Sequence, residues 1–121
     1  MATIVYPNGT EQEVQPRNGS DFQLDELKPI VGTGAPQGED YIEIVRMRDG
    51  RIMVINENGK ALGLPRNDKA TNLAGLPTPQ ERQQATKAYK RRGFHVIHTL
   101  RPNEEDYIAG TVLVCLTEEV Q

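Results

Sequence analysis

An α+β domain is predicted, with a mostly antiparallel sheet, helices packed mainly on one side and a protruding basic helix. Three observations carry this. Asn-Gly and Asp-Gly pairs interrupt runs of alternating β-favouring residues at 8–9, 49–50 and 58–59. Helix-capping residues and glycine stops bracket three further segments, and the stretch from Tyr107 to Leu116 is rich in β-branched residues. At 121 residues the chain has the size of one domain, with a helical insertion expected at about 77–102.

Ile4-Val5-Tyr6 stops at Pro7-Asn8-Gly9, and Thr10 to Val14 alternates beyond it. Asn-Gly supplies the positive φ angles of a tight reversal, so a hairpin is expected. Ser20 and Asp21 are capping types, and Phe22, Leu24, Leu27, Ile30 and Val31 then place a helix between 22 and 31. Pro29 deletes a ladder hydrogen bond, so that helix starts late, near Leu24, or kinks. The glycines of 32–38 resemble a phosphate loop in spacing only. A helix precedes and a strand follows, the reverse of what converging N–H groups require, so this is a connector.

Tyr41–Arg48 and Arg51–Asn56 form a hairpin, which a two-residue Asp49-Gly50 turn puts in a register of Val45 facing Val54, Ile44 facing Ile55 and Met47 facing Ile52. Ile42, Ile44, Met53 and Ile55 then share one face, and Val45, Met47, Ile52 and Val54 the other. Apolar residues on both faces make this hairpin central in the sheet. Asn58-Gly59 reverses the chain into Lys60–Leu64 as the third strand of a meander, which Pro65 ends. Asn67 or Asp68 caps a short helix running to Ala74 with Gly75 as its left-handed stop. Thr78 with Glu81 starts a helix over 80–92, and Gly93 ends it. Phe94–Leu100 and Tyr107–Leu116 have strand character, with Gly110 at a bulge or a close backbone approach.

Net charge is −3, which argues against a duplex-DNA binder. Its distribution is uneven. Residues 1–40 carry two basic and seven acidic side chains, 41–101 twelve and five, and 102–121 none and five, so a +7 centre lies between two −5 ends. The 80–92 helix holds Arg82, Lys87, Lys90, Arg91 and Arg92 against Glu81 and has only Ala85, Ala88 and Tyr89 as an apolar stripe. The lone Cys115 reads as a small core residue and cannot form an internal disulfide. With no leader and no long apolar run, a cytoplasmic protein without a membrane segment is expected. The sparse aromatic content and 36% apolar residues point to a core completed by a second copy, hence a homo-oligomer.

No catalytic set, metal site or cofactor signature stands out. His95 and His98 point to opposite faces of a strand. Glu104-Glu105-Asp106 reads as a solvated loop.

Four stretches resemble a family of small uncharacterised phage and mobile-element proteins, domain of unknown function 3846. They are Leu24-Asp25-Glu26-Leu27 leading to Val31-Gly32, Asp40-Tyr41-Ile42-Glu43, Asn56-Glu57-Asn58-Gly59-Lys60 with Leu62–Asn67 and Ala70, and Ile108–Val114. The chain departs from the pattern at Gly34–Gly38 and between Pro77 and Pro102. The resemblance implies a gene product acting inside a bacterial host and brings no activity or cofactor. The basic centre and this setting together predict a non-enzymatic binding protein that counters host defence by sequestering an anionic, nucleotide-like molecule. Asn56, Glu57 and Asn67 are the candidates for base or ribose recognition, and Arg46, Arg48, Arg66 and Arg91 for phosphate. The alternative is a protein-interaction module that blocks or regulates a host enzyme or effector through the basic helix.

Overall fold

A computed structural model describes residues 2–32, 41–96, 100–101 and 104–120. The 33–38 part of the expected connector over 32–38 and the 97–99 part of the expected Phe94–Leu100 strand lie outside them; residues 94–96 form no strand. The chain divides into two compact units, one of 1–75 with 107–121 and the other of 76–106.

Among its described residues the first unit holds five strands, β1 (Ala2–Val5), β2 (Glu11–Val14), β3 (Ile42–Arg46), β4 (Ile52–Asn56) and β5 (Val112–Cys115), and the helices α1 (Leu24–Val31) and α2 (Asp68–Ala74). The strand order is β2-β1-β5-β4-β3, and every neighbouring pair is antiparallel. The α+β class with an antiparallel sheet is therefore as expected. The last strand takes the centre, because β5 fits between the two hairpins with Leu113 opposite Ile4 on one side and Val54 on the other. The β3–β4 hairpin instead lies at one side, with β4 buried along its length and β3 as an edge.

The hairpin register differs from expectation by one residue. Arg46 pairs with Ile52, Val45 with Met53 and Ile44 with Val54. A two-residue type I′ turn requires left-handed backbone at both Asp49 and Gly50. Only Gly50 has it (φ +92), while Asp49 keeps a negative φ and its carboxylate accepts the Arg51 N–H at 3.0 Å. The turn is thus longer, with the Met47 N–H donating to the Arg51 carbonyl at 2.9 Å. A slip of one residue exchanges the faces of a strand. Ile42 and Ile44 consequently share a face with Ile52 and Val54, and Val45 shares the other with Met53 and Ile55.

The first of these faces carries the main core: Ala2, Ile4, Ile52, Val54, Leu113 and Cys115 pack with Phe22, Leu27 and Val31 of the α1 segment. Of the described helices only α1 enters this cluster; Ala70 and Ala74 of α2 are buried outside it. Val5, Met53, Val112 and Val114 on the opposite face are buried as well. In α1, Leu24 is the first residue, the late start that is one of the two expectations, although Pro29 still lies inside the helix; the N-cap is Gln23, whose N–H donates to Glu26 Oε2 at 2.7 Å. Asn18 occupies Ser20 and Asp21 differently: its Oδ1 accepts both their N–H groups, at 2.8 and 2.9 Å.

Lys60–Leu64 is not a strand. Leu62 N–H bonds Asn58 O at 2.8 Å, Gly63 N–H bonds Lys60 O at 3.1 Å, and Leu64 N–H returns to Gly59 O at 2.9 Å. This is one helical turn closed by a left-handed glycine, Gly63 at φ +72. Gly59 is required for space: a Cβ there would come within 2.8 Å of the Ala109 carbonyl oxygen. Pro65–Asn67 then runs antiparallel to Ile108–Gly110, through Gly110 N–H to Pro65 O at 2.7 Å and Asn67 N–H to Ile108 O at 2.8 Å. At Gly110 a bulge or a close backbone approach is expected; the group nearest the position of a Cβ is instead the Leu64 side chain, with Cδ1 at 2.8 Å, and the φ of +89 favours glycine there.

The second unit is built on α3 (Pro79–Arg91). The Thr78 hydroxyl accepts from Glu81 N–H and the Glu81 carboxylate accepts from Thr78 N–H, both at 3.1 Å, the reciprocal box that the spacing predicts. At the other end Gly93 (φ +87) donates to Lys90 O and Phe94 donates to Tyr89 O, each at 3.0 Å, closing the last turn. No residue of α3 is buried.

Candidate functional site

Two of the expected recognition residues are interior. Asn67, with 0% of its surface exposed, is the N-cap of α2: its Oδ1 accepts from Ala70 N–H at 3.0 Å, and its amide donates to Val5 O at 3.0 Å and Gly110 O at 2.9 Å. One side chain thereby joins β1, the entry to β5 and α2. Asn56, 4% exposed, donates to Val31 O at 3.3 Å and accepts Asn58 N–H at 2.9 Å, fixing the end of α1 to the end of β4. These hydrogen bonds satisfy buried backbone groups and leave both side chains turned inward. Glu57 beside them is exposed.

The arginines of the first unit serve separate places. Arg46 is exposed on β3. Arg48 Nε donates to Gly75 O at 2.7 Å, putting a cation at the C-terminus of α2, where the helix dipole favours positive charge. Arg66 pairs with Asp68 at 2.7 Å. Arg51, also in the basic hairpin set, pairs with Asp49 at 2.7 Å. Arg46 lies opposite Ile52 and Asn56 opposite Ile42, so the two are separated by four strand residues, roughly 13 Å. Arg91 belongs to the second unit. The expected set therefore does not converge on one point within the first unit.

The structure makes two groupings that sequence reasoning missed. Lys60 Nζ and Arg66 Cζ lie 4.6 and 5.0 Å from the centroid of the half-buried Tyr107 ring. Nothing in the spacing of 60, 66 and 107 announces this, since the 65–67 and 108–110 pairing creates it. In the second unit the rings of Tyr89 and Phe94 meet edge to face, 5.9 Å between centroids and 88° between planes, and the Arg92 guanidinium lies 5.5 Å from the Phe94 centroid. Here a signal exists: a glycine stop at 93 brings the residue after it onto the helix residue four before that glycine.

Cys115 is a core residue, 1% exposed, as expected. Burial, aided by the charge of Glu119, pushes its thiol up to about 11. The nucleophilic thiolate is thus disfavoured at neutral pH. Because the folded value exceeds the unfolded one, stability is fully present below about 9.0 and declines as the pH rises through about 11. Iodoacetamide should leave the native chain unmodified at neutral pH and alkylate it once urea unfolds it. Equal rates in both states would contradict the burial of this thiol.

His95 is exposed, and His98 lies outside the described residues. Among the described residues no helix is long and apolar enough to cross a membrane. Comparison with protein-family models, with curated proteins and with solved structures finds no match.

Proposed function

We propose that this chain is a non-enzymatic binding module that docks on a host protein through α3 and blocks or regulates it, in the bacterial cytoplasm and in the phage or mobile-element setting that the four resembling stretches imply. The observation that carries this reading is α3 itself. Thirteen residues with none buried cannot be held by a hydrophobic face, yet the helix is closed at both ends by local hydrogen bonds. A helix kept regular by its caps, with Arg82, Lys87, Lys90 and Arg91 against Glu81, is a surface for something else to bind.

The first unit closes without the second. Ile108 N–H donates to Thr71 Oγ1 at 2.9 Å, and Thr71 lies one helical turn before Gly75, where the second unit leaves. Replacing 76–106 by a short Gly-Ser linker should therefore keep the sheet, seen as an unchanged strand signal in circular dichroism, and abolish capture of the partner from bacterial lysate. A partner that follows the linker chain as strongly as the full chain removes α3 from the reading.

A second reading, sequestration of a nucleotide-like anion, is favoured by Lys60 and Arg66 gathered at Tyr107. Calorimetric titration with cyclic and linear nucleotides tests it. Heat from one of them that disappears in Arg66→Gln supports it, and no heat from any of them ends it.

A further inference from the structure

We infer that the C-terminal end of α3, formed by Tyr89, Lys90, Arg91, Arg92 and Phe94, docks an acidic protein segment that carries an apolar side chain. This rests on the reading above and specifies its partner. Hydrogen bonding fixes the tip: the Phe94 N–H reaches back to Tyr89 O and the Gly93 N–H to Lys90 O, both at 3.0 Å. An apolar contact commonly accompanies this closure. Here it is an aromatic pair that keeps 51% of Tyr89 and 55% of Phe94 exposed. Tyr, Phe and Arg are enriched in protein interfaces, and Tyr and Arg also among the residues that carry most of the binding energy.

The charge layout selects an acidic partner. Lys90, Arg91 and Arg92 are consecutive, so they stand about 100° apart and fan round the helix end. Glu81 and Glu104 of the same unit are held elsewhere, Glu81 in the capping box at the start of α3. The Arg82 guanidinium donates to the Glu104 carbonyl, and the Glu104 carboxylate accepts the Arg101 N–H, which ties that segment to the first turns of α3. Arg82 and Arg91 are nine residues apart, roughly 14 Å along the axis.

Protein carboxylates fit this tip better than a single-stranded nucleic acid. The edge-to-face pairing and the Arg92 guanidinium take up part of these ring surfaces, and the parts left exposed suit an apolar side chain flanked by carboxylates. Nucleic-acid binding rests on many phosphate contacts spread over a basic domain, whereas this chain carries −3 and gathers its cations at one helix end, a footprint that two or three carboxylates of a short segment match.

Selection of a random peptide display library on the full chain, followed by anisotropy with the enriched peptide, tests this. The expected peptides place Asp or Glu around a Leu, Phe or Trp. Their affinity should fall about tenfold or more in K90Q/R91Q/R92Q and in Phe94→Ala, and should weaken with added salt. Circular dichroism checks that each variant keeps α3; the triple Gln variant changes only exposed side chains, so it decides the outcome if Phe94→Ala loosens the helix end. Enriched peptides without acidic bias, unchanged affinity in the triple variant, or tighter binding of a dT oligonucleotide than of the peptide would each overturn the inference. Should the linker chain lose the host partner while the triple variant retains it, docking through the second unit stands and this tip assignment fails. A partner kept by the linker chain overturns both.

Discussion

Asn67→Ala is expected to lower the stability of the first unit by roughly 3–5 kcal/mol, a large share of what a domain of this size has in total. The side chain is completely buried and makes three hydrogen bonds, to Val5 O, Gly110 O and Ala70 N–H. Truncation leaves an amide hydrogen at the start of α2 without its cap and deprives two interior carbonyls of donors. Asn67→Asp separates the two effects. The carboxylate still accepts from Ala70 N–H but presents oxygen where both carbonyls need a donor, so it should be at least as unstable as the alanine variant. Urea unfolding measures both. A loss below about 1 kcal/mol in Asn67→Ala would show that this residue does not join the three elements.

Leu113→Ala should cost about 2–5 kcal/mol. Leu113 is fully buried at the middle of β5, between Ile4 and Val54, and it belongs to the cluster that α1 covers. Both lateral neighbours sit on hydrogen-bonded strands and cannot move into the space, so most of the cavity persists. The equivalent truncation at Ile44, which is half-exposed on edge strand β3, should fall within about 1 kcal/mol of wild type. Similar losses at the two positions would argue against β5 as the centre of the sheet.

Local chemistry was the legible part of the sequence. Thr78 with Glu81, Asn67 as cap, and Gly75 and Gly93 as left-handed stops all act within a few residues, and each is where its neighbours place it. The central place of β5 was not legible, because Leu113 meets Ile4 across more than a hundred residues and no spacing encodes that pairing. The hairpin register failed for a narrower reason. Asp-Gly is compatible with two turn lengths, and the Asp49 carboxylate, by accepting the Arg51 N–H, stabilises the longer one.

The candidate site was less legible than the fold. Asparagine at a turn reads equally as a recognition group or as a bond to buried backbone, and only burial separates the two; Asn56 and Asn67 prove to be the second kind. The cluster of basic residues at 82–92 was visible from composition. The aromatic tip of α3 was missed, although Gly93 already brings Phe94 onto Tyr89.

Native mass spectrometry of the chain purified from bacterial cells, beside the chain with 76–106 replaced by a linker, bears most directly on α3 as the binding surface. The full chain should carry a protein partner in fixed ratio and the linker chain should be bare. A partner retained by the linker chain, or a nucleotide-sized mass on the full chain with no protein bound, would contradict it.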